Sequence, residues 1–82
     1  MAYTRQELEG MDLTVLAVLC EKAANNPSVD AVTAKQAHKL KHEWAMLVAR
    51  ETPPPADYET HKQIQAEKSA TKKRMVELLA IL

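Results

Sequence analysis

The apolar positions of this 82-residue chain fall into separate groups divided by polar and Pro-containing stretches. The densest group before the C-terminus is Leu13-Thr14-Val15-Leu16-Ala17-Val18-Leu19-Cys20, where Thr14 is the only polar residue. Eight residues fall far short of the ~20 that cross a bilayer. The run therefore reads as a central helix, apolar on nearly every side and covered by neighbours on several sides. Upstream, Thr4-Arg5-Gln6-Glu7 matches a capping box, and Tyr3 and Leu8 are placed as its hydrophobic staple. Gly10 is expected to end this first helix in the left-handed conformation. Asp12 then caps a second helix from Leu13. The alternative is one helix from Thr4 to Ala24 that tolerates Gly10 at ~1 kcal/mol.

The central helix is expected to stop at Asn25-Asn26-Pro27, since Pro27 suits the first turn of the next helix. Asn26, Ser28 and Thr33 are its candidate N-caps, and Thr33-x-x-Gln36 is a second capping-box match. From Val29 to Glu51, Val29, Val32, Ala37, Leu40, Trp44, Leu47 and Val48 form one stripe at helical spacing. Thr52-Pro53-Pro54-Pro55 forces an extended turn. The last segment, Ala56 to Leu82, has no Gly or Pro. Its stripe is sparse at Tyr58 and Ile64 and dense over Met75, Val76, Leu78, Leu79, Ile81 and Leu82.

Folding the last two helices as an antiparallel hairpin about Pro53–Pro55 brings Trp44 near Ile64, and Leu47 and Val48 near Tyr58 to His61. It also brings Met75–Leu82 near Val29 and Val32. Folding at Asn25–Pro27 lays Leu13–Cys20 along Thr33–Leu40. The expectation is an all-α single domain over residues 1–82. It has a short N-terminal helix, an apolar central helix and a long Pro-linked antiparallel hairpin around a three-helix core. The Trp44/Ile64 end projects as a two-helix arm unless residues 1–11 cover it.

Composition supports this reading. Apolar residues make up 46% and charged residues 27%, which argues against disorder. A chain this short buries only ~60–65% of its unfolded surface, so its core is thin. There is one Gly and no Phe, and helix formers are plentiful. Net charge is zero, with 11 basic and 11 acidic residues, which argues against polyanion binding by bulk charge. Cys20 is the only cysteine, so an internal disulfide is excluded. The opening Met-Ala-Tyr-Thr-Arg-Gln-Glu lacks a signal-peptide pattern, and a cytoplasmic location is expected.

No catalytic, cofactor or metal site is expected. One Gly rules out a glycine-rich phosphate loop, and Glu7 and Glu9 are accounted for by the helix dipole and solvation. His38-x-x-x-His42 has zinc-compatible spacing, but neither His61 nor Cys20 lands close enough to complete a site. Cys20 lies inside the apolar run and reads as a buried, inert thiol rather than a nucleophile.

Three surfaces are candidates for binding. Lys35, Lys39 and Lys41 on one helix and Lys68, Lys72, Lys73 and Arg74 on the last form a potential anion-binding belt. In the hairpin register, Lys35 is level with Lys73 and Lys39 with Ser69. The competing reading is a solvated face with a Lys39/Glu43 pair. Trp44, Leu47, Val48, Tyr58 and Ile64 on the arm are candidate anchors for a protein partner, or simple packing between two helices. Met75, Leu78, Leu79 and Leu82 carry more apolar surface than one helix face needs, which suggests self-association, with a dimer favoured.

Residues Tyr3-Thr4-Arg5-Gln6-Glu7-Leu8-Glu9-Gly10-Met11-Asp12-Leu13-Thr14-Val15-Leu16-Ala17 resemble the opening of helix-extension-helix modules, such as the Rho N-terminal and SAP-like families. The resemblance covers residues 3–20 and implies a short helix, a polar cap and an apolar helix. Modules of this kind often bind nucleic acid. No functional residue carries over, and the Pro-linked hairpin departs from their pattern. In general style the chain is similar to small phage or mobile-element accessory proteins, which block or adapt a host protein.

The function expected from the sequence is a non-enzymatic protein-interaction module, an accessory or inhibitor protein that binds a protein partner through a helical surface and self-associates. The alternatives are nucleic-acid or nucleotide binding through the basic belt, and a structural or assembly role. No membrane partner is expected.

Overall fold

Four α-helices account for 75% of residues 3–82, which are those the computed structural model describes. They are α1 (Arg5–Glu9), α2 (Leu13–Ala24), α3 (Ala31–Arg50) and α4 (Tyr58–Ala80). No strand occurs among the described residues, and the fold is all-α as the sequence predicts.

The helix starts follow local chemistry. In α1 the Thr4 hydroxyl oxygen accepts the Glu7 N–H at 3.1 Å, and Glu7 Oε1 accepts the Thr4 N–H at 3.2 Å. This is the reciprocal capping box. Of the two expected staple residues, Leu8 is fully buried, and Tyr3 packs against the same core. Gly10 ends α1, but with φ −82° and ψ −5° it is right-handed, not left-handed as expected. Its N–H is shared between the Gln6 and Glu7 carbonyls at 3.3 and 3.2 Å, so the helix closes by tightening its last turn. Asp12 occupies the N-cap of α2 without a side-chain cap bond.

The start of α3 differs from all three expected caps. Asp30 is the N-cap and accepts the Thr33 N–H at 3.2 Å. Asn26 is occupied elsewhere: its Oδ1 accepts the Ser28 N–H at 2.9 Å, closing a turn on itself ahead of the helix. Pro27 lies in that turn, not in the first turn of α3. Helix α4 is capped by Asp57, which accepts the Thr60 N–H at 3.3 Å and its hydroxyl at 2.8 Å. Ala56 is left outside the helix.

In the core, α2 packs on α3 and α4, α3 on α4, and α1 on α4. Leu16, Ala17, Leu19, Cys20 and Ala23 of α2 are buried, together with Leu8, Ala37 and Leu40. Met75, Val76, Leu78 and Leu79 join the same cluster. Hub and tail thus cover each other within one chain. Met75, Leu78 and Leu79 are buried in this core, whereas Ile81 of the same tail is 77% exposed. The hub is covered on one side only, because Val15 and Val18 on its outer face are 45% and 47% exposed.

The register of the hairpin departs most from expectation. Arg50 Nη1 bonds Glu67 Oε2 at 2.7 Å, Lys68 Nζ lies 2.8 Å from Glu51 Oε1, and Arg74 Nη1 lies 3.7 Å from Glu43 Oε2. These pairs put Glu43 level with Arg74, so Trp44 is level with Lys73 and not with Ile64. Met75–Leu82 lies level with Lys35–His42 and not with Val29 and Val32. The reason is the linker. Extended Pro-rich chain advances ~3.1 Å per residue against ~1.5 Å in a helix. Residues 52–57 are non-helical and separate the two helices, so counting evenly about the prolines does not give the register. A similar offset holds for α2, where Glu21 Oε1 meets Lys41 Nζ at 2.9 Å. The hub thus meets the middle of α3, and Val32 at its start is left exposed. The molecule is elongated, 43 × 24 × 16 Å.

Candidate docking groove between the two long helices

Helices α1 and α2 cover one side of the α3–α4 pair and leave the other open. Positions 36, 43 and 50 of α3 recur every seven residues, as do 67, 74 and 81 of α4. Seven residues are close to two helical turns, so each set stays on one face. The tertiary register aligns them in three layers: Gln36 with Ile81, Glu43 with Arg74, and Arg50 with Glu67. Between them lie two depressions that meet at Glu43 and Arg74 and together form a groove, the first lined by Gln36, Lys39 and Ile81 and the second by Met46, Arg50 and Glu67. Its floor is apolar, formed by the nearly buried Leu40, Leu47 and Leu78. Thr71 is the buried polar residue of the floor, and its hydroxyl donates to the Glu67 carbonyl at 2.9 Å, which leaves it satisfied. Ile81 and Met46 stand on the rims, 77% and 54% exposed. The rim charges are mixed: Lys39, Arg50 and Arg74 against Glu43, Glu67 and Glu77.

Two of the three surfaces expected from the sequence are not assembled. Of the belt, Lys41, Lys68 and Arg74 pair with Glu21, Glu51 and Glu43. Lys39 lines the groove, while Lys72 and Lys73 line a separate depression beside α1 with Arg5 and Glu9. Lys35 lies exposed near the start of α3. Of the seven cations, Lys39 and Arg74 line the same depression, while Lys35 lies towards one end and Lys68 towards the other.

The expected arm set is dispersed as well. Trp44 packs against the core, and Leu47 and Ile64 are buried. Val48 is partly exposed, and Tyr58 stands alone at the start of α4, 74% exposed. Helix α1 does not cover this end: Arg5 bridges to Glu77 at 3.7 Å, on the C-terminal half of α4. Residues 1 and 2 of the expected covering segment lie outside the described residues. Of the expected tail set, Leu82 is partly buried against the core.

The remaining chemistry is spread out. His38, His42 and His61 are exposed, and among the described residues no group of three His, Cys, Asp or Glu is placed to hold a metal ion. Cys20 is fully buried, and burial pushes its thiol up to about 11. At neutral pH it is an uncharged packing group. Among the described residues no helix is long and apolar enough to cross a membrane.

Sequence reading names Ile81 only as part of the apolar tail, and Met46, Arg50, Glu67 and Glu77 not at all as site residues. The signal was the seven-residue recurrence of 36, 43 and 50 against 67, 74 and 81. It acquires meaning only once the register is known. No family model matches the chain, and no curated protein or solved structure does either.

Proposed function

We propose that the protein is a non-enzymatic interaction module whose working surface is the α3–α4 groove, where it takes a helical face of a protein partner. One observation carries this reading. A leucine-floored channel with mixed charges on its rims runs through three helical layers on the face that α1 and α2 leave bare. An amphipathic helix buries its apolar stripe in such a channel and presents its polar flanks to the rims. Exposed Ile81 and Met46 are the residues such a partner would desolvate first. Nucleic-acid binding is less well supported, because glutamates neutralise three of the seven candidate cations.

Site-specific photocrosslinking in cells tests the reading. A benzoylphenylalanine replaces Met46 or Ile81, and Lys22 on the outer face of α2 serves as the control position. Discrete protein adducts at 46 and 81, absent at 22, are expected. Adducts of equal yield at all three positions, or none at 46 and 81, would overturn it.

A further inference from the structure

A depression beside α1 is lined by Arg5, Glu9, Ser69, Lys72, Lys73 and Val76. Positions 69, 72, 73 and 76 follow at three- and four-residue steps and share one face of α4. The groove residues Thr71, Arg74 and Leu78 are each offset by two residues from Ser69, Lys72 and Val76, so the groove opens on the other face of the helix. Fully buried Leu8 anchors α1 in the core, and Arg5 reaches Glu77 of α4 at 3.7 Å.

This depression holds more positive charge than the chain itself answers. Arg5, Lys72 and Lys73 share it with one carboxylate, Glu9, which leaves an excess of two. Among the described residues neither Lys72 nor Lys73 pairs with a carboxylate, whereas Lys41, Lys68 and Arg74 each do. The sequence explains Lys72: the residues three and four away on its helix are Lys68, Ser69, Met75 and Val76, and none is acidic. Lys73 has Glu77 four residues on, but that carboxylate faces Arg5. Lys72 is also partly buried, so water screens its charge less than at an open surface. Arg5 lies 3.4 Å from Glu9 and 3.7 Å from Glu77, with all three side chains more than half exposed. Exposed pairs of this kind contribute little, so they do not withhold the guanidinium from a stronger acceptor.

We infer that the α1–α4 depression is a binding site for a phosphate dianion, either free or carried as a monoester on a small molecule. The donors suit it: a forked guanidinium, two ammonium groups and the Ser69 hydroxyl. The charge suits it too. A phosphate monoester approaches two negative charges above its second pKa of about 6, which balances the excess. A diester or a carboxylate carries one charge and leaves half of the excess unanswered. The depression, about 270 Å³, falls below the ~300–1,000 Å³ of clefts that enclose drug-sized ligands. Among the described residues that line it, only Val76 is apolar. The phosphate group is therefore what the site holds, and the body attached to it stays in solvent. Glu9 and Glu77 flank the site and oppose a long polyanion laid across it.

Amide-resolved NMR of the full chain tests this at constant ionic strength and about pH 7.5, where phosphate is mostly dianionic. The probes are inorganic phosphate, phenyl phosphate as the monoester, and dimethyl phosphate as the singly charged diester. Saturable shifts confined to residues 5–9 and 69–76 are expected with a dianion, and far weaker ones with dimethyl phosphate. A response to inorganic phosphate assigns the free ion as sufficient, and a response to phenyl phosphate alone assigns the ester. Lys72→Gln and Lys73→Gln are each expected to weaken binding by about tenfold or more. Lys62→Gln, in a different depression of α4, is expected to leave it unchanged. Circular dichroism is expected to stay helical in all three, because none of these side chains is buried.

No saturable shift with either dianion overturns the inference. So does an equal response to dimethyl phosphate, or an equal loss in Lys62→Gln and Lys72→Gln, since either outcome marks bulk charge and not a site. These residues are separate from Met46 and Ile81, so either result leaves the groove reading to its own test.

Discussion

Arg50 of α3 and Glu67 of α4 meet at 2.7 Å across the hairpin. Counted evenly about the prolines, these two residues would lie several turns apart. Their contact marks the sliding position of the two long helices and with it the groove. Both side chains are 44% exposed, so the bond itself contributes only ~0–1 kcal/mol to stability. Its value is as a marker of register, which the burial of Leu40, Leu47 and Leu78 maintains.

Gly10 adopts a right-handed backbone, and a Cβ placed there meets only the Glu7 and Gln6 carbonyl oxygens, at 3.6 and 3.8 Å. These are ordinary contacts. Gly10→Ala is therefore expected to stabilise the protein by ~0.4–1 kcal/mol, through a less flexible unfolded chain. Thermal melting checks this. A drop in midpoint would show that the turn needs the glycine after all.

The one-sided burial of α2 separates neighbouring apolar residues sharply. Leu16 is fully buried and Val18 is nearly half exposed. Leu16→Ala is expected to lose ~2–5 kcal/mol through transfer and cavity effects, while Val18→Ala stays within ~0.5 kcal/mol. Urea denaturation of the two variants measures the difference. Similar losses would mean that the outer face of α2 is covered.

Glu51 Oε1 is buried and makes no aligned hydrogen bond; what faces it is the Lys68 ammonium at 2.8 Å. Both side chains are 28% exposed. Lys68→Met should strand that carboxylate and lose ~1–3 kcal/mol. Adding Glu51→Gln to Lys68→Met should recover most of the loss. A double-mutant cycle reads this coupling directly, and simple additivity would contradict it.

The caps of α3 and α4 predict an acid-sensitive component of stability. The Thr33 side chain and amide hold the Asp30 carboxyl below its ordinary value of 3.8, and the Thr60 hydroxyl and amide do the same for Asp57. A carboxylate lowered in the folded state binds its proton later than in the unfolded chain. The stability it contributes is present above 3.8 and is lost as pH falls through the lowered folded value. Asp30→Ala and Asp57→Ala are each expected to lower the melting midpoint at pH 7 by a few degrees. The gap to wild type should close in strong acid. A gap that does not change with pH would point to a cause other than the ionised cap.

Several features were legible from local sequence. Thr4 and Glu7 form a capping box because the partners lie three residues apart and need nothing else. Glycine-poor, helix-forming composition decided the all-α class. The apolar runs at 13–20 and 75–82 named most of the core. Helix bounds were read to within a few residues, and the misses came from local competition. Asn26 closes its own turn, which leaves Asp30 to cap α3.

Which residues share a surface was decided only by the tertiary structure. Side-chain facing across a hairpin depends on how far the chain advances in its linker, and Pro-rich extended chain covers about twice the distance of helix per residue. That displacement took Trp44 away from Ile64 and into the core, separated Lys35 from Lys73, and set Glu43 beside Arg74. The sequence contained the recurrence at 36, 43 and 50 and at 67, 74 and 81. Long-range packing of Leu40, Leu47 and Leu78 brought the two series level and made a groove of them.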